Sequence, residues 1–265
     1  MFRTSFDIDG RKDLRSAASF FAMQLYNLPQ NAVVRPLNTE GIAPIFVVGC
    51  GHSGTSLLAS ILGRSDKLLM VGYESGVFFP KKSLMTAKEV VRSWVNLARQ
   101  FGLSGFVEKT PKHLHCIDRI LKVVPNARIV VITRDGRDVM ASFMSRGMSP
   151  EFAVERWCQD NQKVLALDGH ASIIKTRYED IVADPTAELQ RLCDALGLEF
   201  SDEMITGTGS GYGWIKDGNM AKRAAETSKP IYDSRGKWKQ ALTSEHLEIF
   251  WKEASGIMSA FGYEK

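Results

Sequence analysis

The run ARIVVIT at residues 127–133 does most to limit the folds open to this chain. A half-buried strand alternates apolar and polar residues, whereas a nearly continuous apolar run belongs inside a sheet covered on both faces. The runs IFVVG (45–49), GFVEK (105–109) and ASIIKTR (171–177) are shorter versions of the same pattern. Between and after them, helical periodicity runs through 87–101, 114–123, 136–168, 186–196 and about 244–261. Strand–helix alternation of this kind predicts an α/β protein with a central, mostly parallel sheet flanked by helices in three layers.

A chain of 265 residues without repeats or a clear linker is expected to form one domain over 1–265. Residues 1–44 form an N-terminal helical extension in this reading. Its amphipathic helix spans 11–28, with Leu14, Ala18, Phe21, Leu25 and Leu28 on one face. The stretch 206–236 is rich in Gly, Lys and Arg and poor in periodicity, as befits a lid loop. Its Tyr212 and Trp214, with Phe78, Phe79 and Trp94, are candidates for an apolar or sugar-stacking pocket or for plain core packing.

Thirty-four basic residues against 30 acidic give a net charge of +4, too mild for a nucleic-acid partner but compatible with a local basic cluster around a small anion. Cys50, Cys116, Cys158 and Cys193 lie far apart, without metal-binding spacing, and read as reduced, buried side chains. Asp7, Asp9 and Asp13 interrupt the N-terminus, so no signal peptide is expected there. No stretch reaches the length of a membrane span. A soluble, cytoplasmic protein is the expectation.

The sequence GCGHSGTSLL (49–58) joins the first strand to the first helix. A glycine-rich turn there directs backbone N–H groups and the positive end of a helix dipole at one point, where a phosphate is favoured. Gly51 and Gly54 permit close approach, and Ser53, Thr55 and Ser56 add hydroxyls. The triphosphate-binding pattern requires a lysine where this chain has Thr55, so a less charged reacting group, with no metal, is expected. RDGRDVMAS begins at the end of the 127–133 strand, the edge at which open α/β sheets bind ligands. Ser142 follows Arg134 by about two helical turns, so the pair suits a second phosphate. A surface ion-pair cluster of Arg134, Asp135, Arg137 and Asp138 is the plainer alternative.

The two motifs together resemble the 5′-phosphosulfate loop and the 3′-phosphate motif of sulfotransferases that use 3′-phosphoadenosine 5′-phosphosulfate. The resemblance continues in EKTPKH (108–113), RYEDIVADP (177–185), SKPIYDSRGKWK (228–239) and FGY (261–263), in matching order. It is nearest in style to bacterial and tyrosylprotein-type members and implies a P-loop-type fold. It also implies in-line transfer of a sulfuryl group to a hydroxyl or amine, leaving adenosine 3′,5′-bisphosphate, without a metal. On this resemblance Gly51, His52, Ser53, Gly54, Thr55 and Ser56 hold the 5′-phosphate, and Arg134, Ser142 and Tyr178 hold the 3′-phosphate. Lys229, Arg235, Gly236 and Lys237 close over the nucleotide.

Glu74 resembles the family's general base, for which a carboxylate isolated by burial would serve. His113 and His115 are the runners-up. Lys109 would neutralise the bridging oxygen, or else pair structurally with Glu108. His52 stands where the family usually has arginine or lysine, and acts either as a protonated catalytic assistant or as a neutral hydrogen-bond donor. A P-loop kinase and a non-catalytic nucleotide-binding relative are the alternative readings. The acceptor class stays open among small molecules, carbohydrates, lipids and peptides, as does the oligomeric state.

Overall fold

The computed structural model describes residues 34–167, 169–206 and 230–265. The expected 11–28 helix, Lys229, Tyr212 and Trp214 lie outside the described residues.

Five strands form one parallel sheet in the order β2-β3-β1-β4-β5. They are β1 (Ala43–Gly49), β2 (Leu68–Met70), β3 (Gly105–Lys109), β4 (Arg128–Thr133) and β5 (Ile173–Arg177). The chain leaves β1 toward β2 and β3 on one side, then returns past β1 to β4 and β5 on the other. That reversal of winding places a crevice at the carboxyl end of β1, between β3 and β4. The register brings Val47 level with Lys109, and Gly49 level with Ile132.

Both faces of the sheet are buried, as the apolar runs require. Phe46, Val48, Phe106, Ile129 and Val131 pack on one side with Val90, Val91 and Trp94 of α2 (Leu84–Gln100) and Ile120 of α3 (Ile117–Val123). Ile45, Val47, Val130 and Ile132 pack on the other against α1 (Thr55–Leu62), with Leu189 and Leu192 of a later helix. Each such large apolar side chain stabilises the fold by about 1.5–3 kcal/mol through burial. A third cluster joins α4 (Gly136–Met144), α5 (Pro150–Leu165) and the closing helix through Val139, Trp157, Phe250 and Met258. The remaining helices in chain order are α6 (Tyr178–Ala183), α7 (Pro185–Leu196), α8 (Glu203–Thr206), α9 (Trp238–Ala241) and α10 (Ser244–Ala260).

Two expectations need correction. The helix expected over 136–168 is two helices, because Gly147 takes a φ of 83° and the Ser149 side chain caps a new start with Pro150 in its first turn. The strand β2 was not expected. Its three residues are too short to show a period and are held by pairing with Gly105–Val107. All four cysteines are buried and free. No helix among the described residues is long and apolar enough to cross a membrane.

Candidate active site

The loop after β1 ends at Gly54, whose φ of 96° and close neighbour, the Tyr178 ring, both require glycine: a Cβ there would lie 2.8 Å from Tyr178 Cδ2. The first helical bond of α1 runs from Leu58 N to Gly54 O, so the amides of Thr55, Ser56 and Leu57 precede it and have no acceptor within the helix. These residues line a cavity of about 420 Å³, joined by Gly51, His52, Gly54, Arg134, Ser142, Tyr178 and Lys237. Nine of the residues read from sequence as nucleotide ligands thus meet at one site: Gly51, His52, Gly54, Thr55, Ser56, Arg134, Ser142, Tyr178 and Lys237.

The guanidinium of Arg134 is fixed at the centre. Nη1 donates to the His52 carbonyl at 3.3 Å, and Nη2 donates to the carbonyl and hydroxyl of Ser234 at 2.9 and 3.1 Å. Its Cζ lies 4.1 Å above the Tyr178 ring. Nε is buried and has no hydrogen-bond partner among the described residues. Arg134 is held from behind as well: the Trp157 indole N–H donates to its carbonyl at 3.2 Å. Gly136, two residues on, has no room for a side chain against Phe250 and Trp157. The ion-pair reading holds loosely for Arg134, which pairs with Asp138 at 3.8 Å, but both side chains are buried and not at the surface. It holds for Arg137, which pairs with Asp135 at 2.8 Å and stacks over Trp238.

Of the motifs RYED and FGY only Tyr178 lines the cavity, and the others support the arrangement from outside it. Glu179 accepts the Asp135 amide at 2.9 Å, and the Tyr263 hydroxyl donates to Glu179 at 3.0 Å. Burial and the Glu179 carboxylate push the Tyr263 phenol far up, so it stays a donor. The Arg177 guanidinium lies over the Tyr263 ring at 4.4 Å. The Tyr178 hydroxyl meets Ser234 Oγ at 2.6 Å and accepts the Ser234 amide at 3.1 Å.

Several sequence-derived assignments change. Ser53 does not line the cavity; its amide donates to Cys50 O at 3.2 Å and its side chain is buried beneath the loop. The Cys50 thiol beside it is pushed well up, first by burial and then by the Asp160 carboxylate, so it is not a nucleophile. The Gly236 amide donates to Asp138 Oδ2 at 2.9 Å, and the Trp238 amide donates to Oδ1 at 3.1 Å, so neither faces a nucleotide. Arg235 is exposed and forked onto Asp233 at 2.7 Å, which raises the arginine and lowers the aspartate.

Lys109 pairs with Glu74 at 2.7 Å and not with Glu108, because successive strand residues face opposite sides of the sheet. Lys109 has no exposed surface, whereas the Glu74 side chain keeps 34% of its own. Burial therefore does not isolate Glu74; an ion pair with Lys109 positions it. Glu108 faces the other way, accepting from the Ser75 hydroxyl at 2.7 Å, Thr110 at 2.6 Å and His113 Nδ1 at 3.1 Å. His113 is fully buried in that network, which removes it as a base for an incoming acceptor. His115 binds buried Asp160 at 2.6 Å, where Arg156 also pairs, and it does not line the cavity.

Sequence reading missed Ser234, the common partner of Arg134 and Tyr178, and Arg146, which lines the cavity and makes no ion pair among the described residues. Arg146 follows Ser142 by four residues, the spacing that puts two side chains on one helical face, and that signal was available. Ser234 carries no such signal, since its partners lie 56 and 100 residues away.

The sulfotransferase family model matches residues 81–202. A Caenorhabditis briggsae protein provisionally named protein-tyrosine sulfotransferase is 25% identical over 193 residues, which cover 61% of this chain and 68% of that protein. The sulfotransferase domain of the Synechococcus PCC 7002 olefin synthase superposes with a TM-score of 0.62 at 18% identity, covering 91% of this chain and 100% of the domain. Mouse sulfotransferase SULT7A1, solved with PAP, superposes with a TM-score of 0.50 at 12% identity over 84% of this chain and 85% of its own. With its phosphate-type loop at the winding reversal, the chain is similar over residues 81–202 to the sulfotransferase family and shares the fold of solved sulfotransferases.

Proposed function

We propose that the chain transfers a sulfuryl group from 3′-phosphoadenosine 5′-phosphosulfate to an acceptor hydroxyl. The observation that carries this is the pairing, in one cavity, of a lysine-free phosphate loop with Arg134 and Arg146, one with an unpartnered buried Nε and the other without an ion pair among the described residues. In this reading the 55–57 amides, Thr55 and Ser56 hold the 5′-phosphate, while Arg134, Ser142 and Arg146 hold the 3′-phosphate. Lys237 closes the mouth from the late segment. The donor supplies an activated sulfuryl group whose bond to the phosphate oxygen breaks as the bond to the acceptor oxygen forms.

Glu74 takes the acceptor's proton, and Lys109 orients Glu74 and offsets negative charge beside it. Positioning and charge stabilisation carry such a displacement, so no covalent enzyme intermediate is needed. The name of the worm relative favours an acceptor hydroxyl of the phenolic kind, on a peptide or a small molecule.

A thermal-shift measurement tests the donor site. Adenosine 3′,5′-bisphosphate at 100 times its Kd should add about 2.7 kcal/mol, or roughly 5–10 °C in a chain of this size. Magnesium ATP should add little. Stabilisation by magnesium ATP but not by the bisphosphate would favour a kinase and overturn the proposal. Release of the bisphosphate from the donor in the presence of a phenolic acceptor then tests transfer.

A further inference from the structure

We infer that Glu108, Thr110 and His113 are positioning residues that fix the backbone beside Glu74, so that the EKTPKH segment sets where the base points. This rests on the reading of Glu74 as the base. Glu74 lies just beyond β2, in a stretch without helix or strand, so no regular ladder takes up the amides that follow it. They go instead to one cluster of side chains. The Ser75 amide donates to Glu108 Oε1 at 3.2 Å, Gly76 to Thr110 Oγ1 at 3.3 Å, Val77 to Ser75 Oγ at 3.5 Å and Phe78 to His113 Nε2 at 3.4 Å.

Those amides fix the direction of every bond behind them. Thr110 Oγ1 and Ser75 Oγ each accept an amide and each have one proton, which goes to Glu108 Oε1 at 2.6 and 2.7 Å. His113 Nε2 accepts from Phe78, so a neutral ring carries its proton on Nδ1, 3.1 Å from Glu108 Oε2. The Glu108 carboxylate is therefore the hub. It draws the protons of three side chains toward itself and leaves each with a lone pair for the backbone of 76–78. Glu108, Thr110 and His113 are all buried, which keeps water from competing for these bonds.

Strand alternation gives the cluster its bearing on the base. Lys109, between Glu108 and Thr110, faces the other way and holds the Glu74 carboxylate at 2.7 Å. One strand end thus grips the side chain of Glu74 with one residue and the backbone after it with the two flanking ones. The segment is closed from beyond by Arg119 Nε, which donates to the Phe78 carbonyl at 2.8 Å. The Phe79 ring covers Gly76, where a Cβ would lie 2.8 Å from Phe79 Cε2.

The test uses the full-length protein, with p-cresol as the acceptor probe and release of adenosine 3′,5′-bisphosphate from the donor as the signal. Thr110→Val keeps the shape of the side chain and removes the hydroxyl that joins Glu108 to the Gly76 amide. It should lower kcat about 10–100-fold with bisphosphate affinity unchanged, and Thr110→Ser should restore kcat. His113→Asn, which keeps a donor for Glu108 and loses the acceptor for Phe78, should show the same split. In a Glu74→Gln background Thr110→Val should cost almost nothing further, because the group it positions is gone. Hydrogen exchange followed by NMR should find the 75–78 amides slow in the wild type. An unchanged kcat in Thr110→Val, or an equal fall with and without Glu74, overturns the positioning role and leaves the base reading standing. Fast exchange of the 75–78 amides in the wild type overturns it without recourse to any variant. No turnover in the wild type, or full kcat in Glu74→Gln, overturns the transfer reading and this inference with it.

Discussion

Lys109 shows how one residue's position in a strand fixes its chemistry. The ammonium has no exposed surface and lies 2.7 Å from a carboxylate that remains partly open to solvent. Such a pair stabilises little by itself, but breaking it strands the buried charge, at a cost of about 3–5 kcal/mol. Glu74→Gln keeps an acceptor for Lys109 Nζ and removes the base. We expect kcat to fall about 10²–10⁴-fold with donor affinity nearly unchanged, and the melting temperature to fall because the buried Lys109 ammonium loses its counter-charge. Steady-state kinetics beside bisphosphate titration would check this, and an unchanged kcat would remove Glu74 from the base role. The identities of Glu74 and Lys109 were legible in the sequence. Their pairing was not, because Glu108 is the adjacent acid in the chain, and only the two-residue period of the strand shows that it faces away.

At the scale of the element, α4 is the part that joins both ends of the cavity. Ser142 lines it, as does Arg146 just past the end of the helix, while Asp138 pins the turn at 236–238 through two backbone amides. The sequence motif marked Arg134 and Ser142 because strand end and helical spacing are both readable. It misassigned Gly236, because an amide's acceptor is chosen by a carboxylate 98 residues earlier in the chain. For the same reason Ser234 was invisible while Arg146 could have been found. Asp138→Asn leaves one oxygen to accept and puts an N–H against the second amide, losing a charged hydrogen bond of about 1.5–3 kcal/mol. If that turn helps close the site, bisphosphate affinity should fall roughly 10–100-fold. Limited proteolysis should then cut faster between 230 and 240, with β4 and α5 still protected. Wild-type affinity in Asp138→Asn, measured calorimetrically, would show that the clamp does not bear on binding.

For the molecule as a whole, the sheet was legible because a strand buried on both faces has to be apolar throughout, and β4 and β1 are. The short β2 was not, since pairing with β3 rather than its own pattern makes it a strand. The carboxyl end of β3 also carries an acid-sensitive group. Burial drives the Glu108 carboxyl upward, but His113 beside it and the hydrogen bonds of His113, Thr110 and Ser75 outweigh that and hold it below its ordinary 4.5. The native state therefore binds fewer protons than the unfolded chain in the window just below 4.5. Its contribution is complete above that value and is lost as the pH falls through the lower native one. Glu108 also accepts the Ser75 amide at 3.2 Å, so the same carboxylate anchors the segment that carries Glu74. Glu108→Gln should lower stability at pH 7 by about 1–3 kcal/mol, since an amide cannot accept from all of those donors. It should also flatten the acid limb, so that wild type and variant converge as the pH drops toward 3. Urea unfolding at pH 7, 5, 4 and 3.5 measures both effects, and two curves that stay parallel across the series would show that Glu108 does not set the acid stability of the fold.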